Sequence, residues 1–193
     1  MHVFSRLTSF VLFILSLSLF AHALPAPGSS GALVTRDPKC DQLVDVVVDL
    51  KTKVDTCISA IVKAEVVADV SVQIDAIVGH VNTCANAIVA IGAVSDIDTV
   101  VKADIAARVA AIIAVIVKAC LRLSVKFGLQ VFLELFVKID AAIKLLLVNL
   151  SVCIDGIVVL ISQIVVATCA HILVTLNFEL CLSVLALVNV GIY

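Results

Sequence analysis

Apolar residues recur at steps of three and four from residue 40 onward, with polar residues between them. The first run occupies positions 40, 43, 47, 50, 54, 57, 61, 64 and 68, and aspartates and lysines lie off that line. Such spacing gathers the apolar side chains on one face of an α-helix. The run loses register near residues 69–71 and resumes at 70, 74, 77, 81, 84, 88 and 91. The pattern predicts two helices joined by a tight turn near residue 70, and the alternative is one continuous helix with a register slip.

Two ten-residue stretches of this region are near copies of each other. Lys53–Val62 reads KVDTCISAIV and His80–Val89 reads HVNTCANAIV, and each places one cysteine on the apolar face. In an antiparallel hairpin that turns near residue 70, the position opposite Cys57 lies close to Cys84. A disulfide between Cys57 and Cys84 is one interpretation. The other is that both are small buried core residues, because free cysteine is among the most buried residue types.

Local signals also predict where the third helix begins and ends. Gly92 is a typical helix stop, and Ser95–Asp98 has the capping-box pattern, in which a serine and an acid three residues later satisfy free amides. We expect the third helix to run to about Phe127. Its second half carries three cations at intervals of four residues, Lys118, Arg122 and Lys126. They predict either a narrow solvated edge or a face for anionic lipid headgroups.

Gly128 predicts a break before a fourth helix over residues 129–148. The expected polar side of that helix consists of Glu134, Lys138, Asp140 and Lys144. No proline follows Pro38, which favours continuous helices through the rest of the chain. The predicted fold class is therefore all-α, a bundle of about five to six apolar helices in antiparallel hairpins, with one cysteine on most helices.

The last 45 residues contain only two charged side chains, Asp155 and Glu179. We expect breaks near Gly156 and Asn177. Residues 157–176 carry no charge over 20 positions, which is long enough to cross a bilayer. A helix that is apolar all round lies either in the centre of a core or in lipid. Asp155 is expected at the solvent edge, whereas inside a membrane it would mark a functional site.

The composition is unusually apolar for a chain of this length. Hydrophobic residues make up 63% of the 193 residues and the mean hydropathy is +1.25, whereas typical soluble domains contain about 45–50% apolar residues. The excess comes from aliphatic side chains, because aromatic residues amount to 5% and tryptophan is absent. This surplus favours a protein that exposes or encloses apolar surface.

The N-terminus has the features of a secretory signal peptide. Basic residues precede the apolar run Phe10–Phe20, and Ala21-His22-Ala23 fits the small-x-small cleavage rule. A run of about 11 apolar residues is too short to span a hydrocarbon core, which needs about 20. Secretion would place the seven cysteines in an oxidising compartment. Because seven is odd, at least one of them is free or bridged to another molecule.

These features predict three regions. Residues 1–23 form the signal peptide and residues 24–36 a disordered leader rich in proline, glycine and serine. Residues 37–193 form a single helical domain, in which a cysteine-marked hairpin over 37–92 precedes more apolar helices over 95–193. We therefore expect a secreted, extracellular protein. One form of this hypothesis associates it with a cell wall or a membrane.

The charged and polar residues exclude several function classes. A net charge of -2 provides no electrostatic footprint for nucleic acid. Nucleotide-binding, hydrolase and metalloprotease motifs do not occur, and His80 and His171 are too few for a metal cluster. We therefore expect no catalytic residue, no cofactor and no metal. Asn149-Leu150-Ser151 is a glycosylation sequon, which is usable only on a lumenal surface.

Several short motifs carry a resemblance to known proteins. They are Thr35-Arg36-Asp37 after the leader, Cys40-Asp41-x-Leu43, and the two T-C-x-x-A-I-V units. On these motifs the chain resembles the small secreted, Val/Ala/Ile-rich helical proteins of filamentous fungi. It is more loosely similar to the hydrophobic surface-binding protein A and cell-wall mannoprotein group, a likeness that implies binding of apolar surfaces or fatty acyl ligands.

The sequence thus predicts a secreted, non-enzymatic helical protein that binds apolar surfaces, lipids or the cell wall. Two alternatives remain open at this point. In one, the chain is an integral membrane protein whose spans lie in residues 105–193. In the other, it is a plain secreted bundle that contacts a host or partner protein.

Overall fold

The computed structural model describes residues 38–95 and 97–186, which belong to one compact unit. The predicted signal peptide, the leader and Asp37 lie outside the described residues. In the described part the chain is all-α, as the apolar spacing predicts, with seven α-helices, one 3₁₀ turn and no strand. The helices are α1 (Pro38–Lys63), α2 (Val67–Ile91), α3 (Thr99–Phe127), α4 (Leu133–Cys153), α5 (Ile157–Thr168), α6 (Ala170–Thr175) and α7 (Glu179–Val184), and the 3₁₀ turn is Leu129–Phe132.

Helices α1 and α2 form the predicted hairpin, but the turn lies earlier than expected. The chain leaves α1 after Lys63, passes through Val66 in an extended conformation and enters α2 at Val67. The prediction of a turn near residue 70 is wrong. Val70 is fully buried in the first turn of α2, so the residue that looked like a register slip is the start of the second apolar face.

Polar contacts fix the direction of the four long helices. Cys84 Sγ lies 3.9 Å from the Val46 carbonyl oxygen, so α1 and α2 are antiparallel. Lys126 Nζ donates to the Ala64 carbonyl at 2.9 Å, so the ends of α1 and α3 meet. Asn149 contacts α2 near its C-terminal end, which makes α4 run parallel to α2. The resulting up-down-up-down bundle has α1 against α2 and α3, and α2 against α4.

Two of the predicted local signals mark helix ends, whereas the predicted capping box does not. Gly92 and Gly128 end α2 and α3 with positive φ values of 76° and 91°, which glycine adopts at little steric cost. The predicted capping box at Ser95 is wrong, because the cap of α3 is Asp98. The Asp98 carboxylate accepts the Val100 N–H at 2.7 Å and so satisfies a free amide of the first turn.

The C-terminal region closes the bundle on its fourth side. Helix α5 packs against α3 and α4, and α7 packs against α4. The predicted breaks near Gly156 and Asn177 are confirmed, since both residues have positive φ at helix boundaries. The uncharged stretch 157–176 is not one helix, because the backbone breaks at Cys169 between α5 and α6.

One continuous core runs through the bundle and includes residues from every helix. At the end where α3 meets α4, four phenylalanines form a chain of ring contacts. Phe132 is 5.8 Å from Phe127 and 5.9 Å from Phe136 between ring centroids, and Phe136 is 6.3 Å from Phe178. The chain of rings connects α3, the 3₁₀ turn, α4 and the residue that precedes α7. These four of the eight phenylalanines thus pack together at one end of the bundle.

Candidate functional site: an apolar groove with a basic rim

A groove of about 200 Å³ lies between the C-terminal end of α1 and the C-terminal half of α3. We call it the α1–α3 groove. Its lining consists of four apolar and two cationic residues, namely Ile61, Val62, Ala119, Leu123, Arg122 and Lys126. The floor is built from the buried residues Ile61 and Leu123, whereas Val62 is 64% exposed and forms part of the open wall. The groove is therefore an apolar surface that solvent reaches from one side.

Lys126 is held in a defined position at the groove. Its Nζ donates to the Ala64 carbonyl oxygen and lies 4.9 Å from the centroid of the Phe127 ring. Ala64 follows the last residue of α1, and terminal carbonyls of a helix lack partners within the helix and carry partial negative charge. The ammonium group therefore satisfies a free carbonyl and places a positive charge where α1 and α3 meet.

Arg122 lies one turn earlier on α3 and is exposed. Within residues 38–95 and 97–186 it takes part in none of the ion pairs. Helix α3 has no acidic residue between Ile105 and Phe127, so no carboxylate of its own helix neutralises this charge along that stretch. The guanidinium is available to an anionic group, for which its planar donors suit two parallel hydrogen bonds.

The structure separates the three predicted headgroup-facing cations. Arg122 and Lys126 line the α1–α3 groove, whereas Lys118 is not part of the lining. Lys118 instead lies near Cys169 at the break between α5 and α6. There the pKa of the Cys169 thiol is raised by burial, and both a contact with Thr168 and the charge of Lys118 oppose the rise. Successive residues at intervals of four drift around a helix by about 40° per step, because 3.6 residues make one turn.

The predicted disulfide between Cys57 and Cys84 is absent from the structure, in which both thiols are free and buried. Cys84 lies opposite Val46, which precedes Cys57 by eleven residues on α1. At a rise of 1.5 Å per residue the two cysteines are about 16 Å apart along the hairpin. The cause is the early turn, which shifts the facing positions by several residues. The interpretation of both cysteines as core residues agrees with their burial.

The glycosylation prediction at Asn149 meets a steric obstacle. Asn149 is half-buried on α4, and its Nδ2 donates to the Ala85 carbonyl of α2 at 2.9 Å. Nδ2 is the atom to which a glycan would be attached. The side chain also lines a second, smaller cavity of about 100 Å³ between α2 and α4. The folded chain therefore uses Asn149 as a contact between helices.

Asp140 is a buried acid that the sequence interpretation placed on the polar side of the fourth helix, and that prediction is wrong. Its side chain is 5% exposed, and its carboxylate accepts the Leu180 N–H at 2.9 Å and the Cys181 N–H at 2.8 Å. Burial raises the pKa of the Asp140 carboxyl, the two N–H donors lower it, Glu179 raises it and Lys144 lowers it. Asp140 thus caps α7 from a residue 40 positions away. Asp140 follows the core residue Phe136 by four positions, so the two residues lie on the same face of α4. This spacing is the sequence feature that indicates the burial of Asp140.

Val62 is the groove residue that apolar spacing did not identify. It lies off the apolar face of α1, beside Ile61, and such isolated exposed valines occur throughout the described part of the chain. A sequence feature that distinguishes Val62 is its position in the T-C-x-x-A-I-V unit. Both units end in an exposed valine, since Val89 is 61% exposed.

The lining of the groove limits its chemistry. It contains no carboxylate, imidazole, thiol or hydroxyl group, and its polar groups are the side chains of Arg122 and Lys126. What it offers is desolvation of an apolar group together with two positive charges at one rim. This combination supports binding of a molecule with an apolar part and an anionic part.

One helix of the described residues, α2, is long and apolar enough to cross a membrane by length and composition, and 33% of its most apolar window is buried. That helix lies outside residues 105–193, where the membrane alternative placed its spans. Helix α5 has 12 residues and is about 18 Å long. It is therefore shorter than the hydrocarbon core of a bilayer, which is about 30 Å thick.

No protein-family model matches the chain, and no curated protein is significantly similar to it.

Proposed function

We propose that this chain is a secreted, non-enzymatic protein that binds single-chain anionic amphiphiles such as fatty acids. The apolar part of the ligand covers Ile61, Val62 and Leu123, and the anionic group pairs with Arg122 and Lys126. The observation that carries the proposal is an apolar groove whose polar lining consists of two cations.

The size of the groove supports a single-chain ligand. Sites for drug-sized molecules enclose about 300–1,000 Å³, whereas the α1–α3 groove measures about 200 Å³. It therefore accommodates part of one acyl chain and leaves the remainder to the surrounding surface. Exposed valines lie close in sequence to the lining residues, at Val66 on the connection to α2 and at Val125 on α3.

The test compares two ligands that differ only in charge. Binding of oleate and of the uncharged oleyl alcohol to the purified chain is measured by displacement of a fluorescent fatty acid at low ionic strength. We expect oleate to bind more tightly than the alcohol. The Arg122→Gln substitution should weaken oleate binding by up to about fivefold, because exposed ion pairs contribute up to about 1 kcal/mol. It should leave binding of the alcohol unchanged.

Two further variants locate the site. Val62→Asp places a carboxylate on the wall of the groove and should abolish oleate binding through repulsion and desolvation. Arg108→Gln is the matched control, because Arg108 lies on the same helix in an ion pair with Asp104, about 21 Å from Arg122 along the axis. It should bind oleate as the unmodified chain does. Failure of the unmodified chain to bind either ligand would overturn the proposal and favour contact with a partner protein.

A further inference from the structure

The duplicated T-C-x-x-A-I-V unit ends in an Ile-Val pair in both copies, and both pairs line a groove. Ile61 and Val62 line the α1–α3 groove. Ile88 and Val89 line the cavity of about 100 Å³ between α2 and α4, which we call the α2–α4 groove. The isoleucine is buried in each copy, whereas the valine is 64% exposed at position 62 and 61% exposed at position 89. The repeat therefore builds an apolar floor and an open wall twice.

The two grooves lie at opposite ends of the bundle and share a second feature. Because α1 and α2 are antiparallel, the two valines are about 30 Å apart along the bundle axis. At each end a lysine donates to a backbone carbonyl that follows the Ile-Val pair. Lys126 donates to Ala64 at 2.9 Å, and Lys39 donates to Ala93 at 3.3 Å. In both places a carbonyl at the end of a helix is therefore satisfied beside an apolar groove.

The second groove differs from the first in charge. In the part of the chain that the structure describes, no charged side chain lines the α2–α4 groove, and its polar side chains are those of Asn149 and Cys153. Asn149 lies in the wall that α4 contributes, whereas α3 contributes Arg122 and Lys126 to the first groove. The Asn149 amide N–H group donates to the Ala85 carbonyl, which leaves the amide oxygen as an acceptor. An uncharged acceptor suits a hydroxyl donor rather than a carboxylate.

An exposed apolar strip on α4 leads away from the groove. Its members lie within about 80° of one another around the helix axis, at about 100° per residue, and are Val137, Ala141, Leu145, Val148 and Val152. Val152 belongs to the groove lining, and Val137 lies about 22 Å away along the helix. Beside that far end, Lys138 pairs with Asp75 at 3.0 Å, so these two charges neutralise each other. A hydrocarbon chain laid along α4 from the groove would therefore contact apolar side chains over this distance.

We propose that the α2–α4 groove is a second binding site, which takes an uncharged single-chain amphiphile such as a long-chain alcohol. The hydroxyl group of the ligand donates to the Asn149 amide oxygen. The hydrocarbon chain lies between Val89 and Val152 and continues along the exposed strip of α4. The site is separate from the fatty-acid site, because the two grooves share no described lining residue and lie at opposite ends of the bundle.

The test uses two ligands of equal chain length, decanol and decanoate, on the full chain with isotope-labelled valine methyl groups at neutral pH. NMR spectra then report which valines each ligand contacts. We expect decanol to shift the methyl signals of Val89 and Val152. No shift at these two residues with decanol, or shifts of equal size with decanoate, would overturn the proposal. The shift of Val62 with decanoate is a separate readout of the fatty-acid site, so failure of one site is distinguished from failure of the other.

A substitution in the wall of the groove locates the ligand. Val152→Asp places a carboxylate beside the hydrocarbon chain and should weaken decanol binding, followed at Val89, by about tenfold or more, because the carboxylate would lose water without gaining a partner. The matched control is Val159→Asp, at a position 60% exposed on α5 outside both grooves, and it should bind decanol as the unmodified chain does. Persistence of the Val62 shift with decanoate would show that each variant is folded. Undiminished decanol binding by a folded Val152→Asp variant would contradict the proposed site.

The hydroxyl contact is tested on the unmodified chain with methyl decyl ether, which has the same hydrocarbon chain and no hydroxyl donor. The ether should bind at Val89 up to about tenfold more weakly than decanol, because the Asn149 amide oxygen then loses its hydrogen bond to the ligand. Equal affinity for the two ligands would contradict the role assigned to Asn149.

Discussion

The α1–α2 hairpin and the C-terminal segment α5–α7 differ in how their sequences specify which side chains are buried. The hairpin has a buried apolar face and a solvated face on which pairs such as Lys53–Asp49 lie four residues apart. The segment from Ile157 to Val184 carries one acidic residue, Glu179, and no lysine or arginine. An amphipathic helix specifies its own buried face, whereas an apolar helix fits in several orientations. The C-terminal segment therefore depends on its contacts with α3 and α4.

The largest expected effect comes from removing the aromatic contact of this segment. Phe178 is 1% exposed and packs against Phe136. Replacement by alanine should reduce the free energy of unfolding by about 4 kcal/mol, because a cavity replaces a buried ring. Urea denaturation measures the loss. Val174→Ala, at a position 44% exposed in α6, is the control and should change stability little.

Hydrogen exchange on the Phe178→Ala variant sharpens the comparison. If α7 is held mainly by tertiary contacts, its amides should lose protection before those of α1 and α2. Equal loss of protection across the whole bundle would show that the hairpin and the C-terminal segment form one cooperative unit.

A second, smaller effect is expected from the polar contact of the same segment. Asp140→Ala leaves the N–H groups of Leu180 and Cys181 without an acceptor and should cost about 2 kcal/mol. Thermal or urea unfolding reports the change. The matched substitution is Asp75→Ala in the hairpin, where the carboxylate pairs with Lys138 and both side chains are more than half exposed. That variant should lose less than about 1 kcal/mol, and an equal loss at both positions would contradict the distinction.

The pH dependence of stability should show the smallest effect. Because the pKa of Asp140 is raised in the folded chain from its usual value of 3.8, its contribution to stability is fully present below that value and is lost as pH rises through the folded pKa. As pH rises from the ordinary carboxyl pKa through the raised pKa of the folded chain, the free energy of unfolding of the unmodified chain should therefore fall relative to that of Asp140→Asn. Urea titrations at several pH values measure the difference. A difference that does not change with pH would show that Asp140 ionises in the folded chain as it does in the unfolded one.

Apolar spacing was sufficient to predict the all-α class and the two helices of the hairpin, although not the position of the turn between them. The spacing is a local property, because every third or fourth residue of a helix points the same way regardless of its neighbours. The breaks at Gly92, Gly128 and Gly156 were readable for a similar reason. The residue type at each break favours a backbone conformation that ends a helix.

The candidate site was only partly predictable. Arg122 and Lys126 were identified from their spacing, but their separation from Lys118 depends on which neighbour α3 packs against on each side. Val62 was not identified, since exposed valines are common in this chain and the groove exists only where α1 meets α3.

The sequence by itself determined that the chain is helical and which faces of α1 and α2 are buried. Only the tertiary structure decided that the hairpin turns at residues 64–66, that Cys57 and Cys84 lie far apart, and that Asp140 is buried as the cap of α7. It also decided the break at Cys169, which interrupts an otherwise uninterrupted apolar stretch. The physical reason is that burial and capping depend on contacts between segments that are distant in sequence. A stretch of apolar residues without polar positions does not indicate which neighbouring helix it packs against.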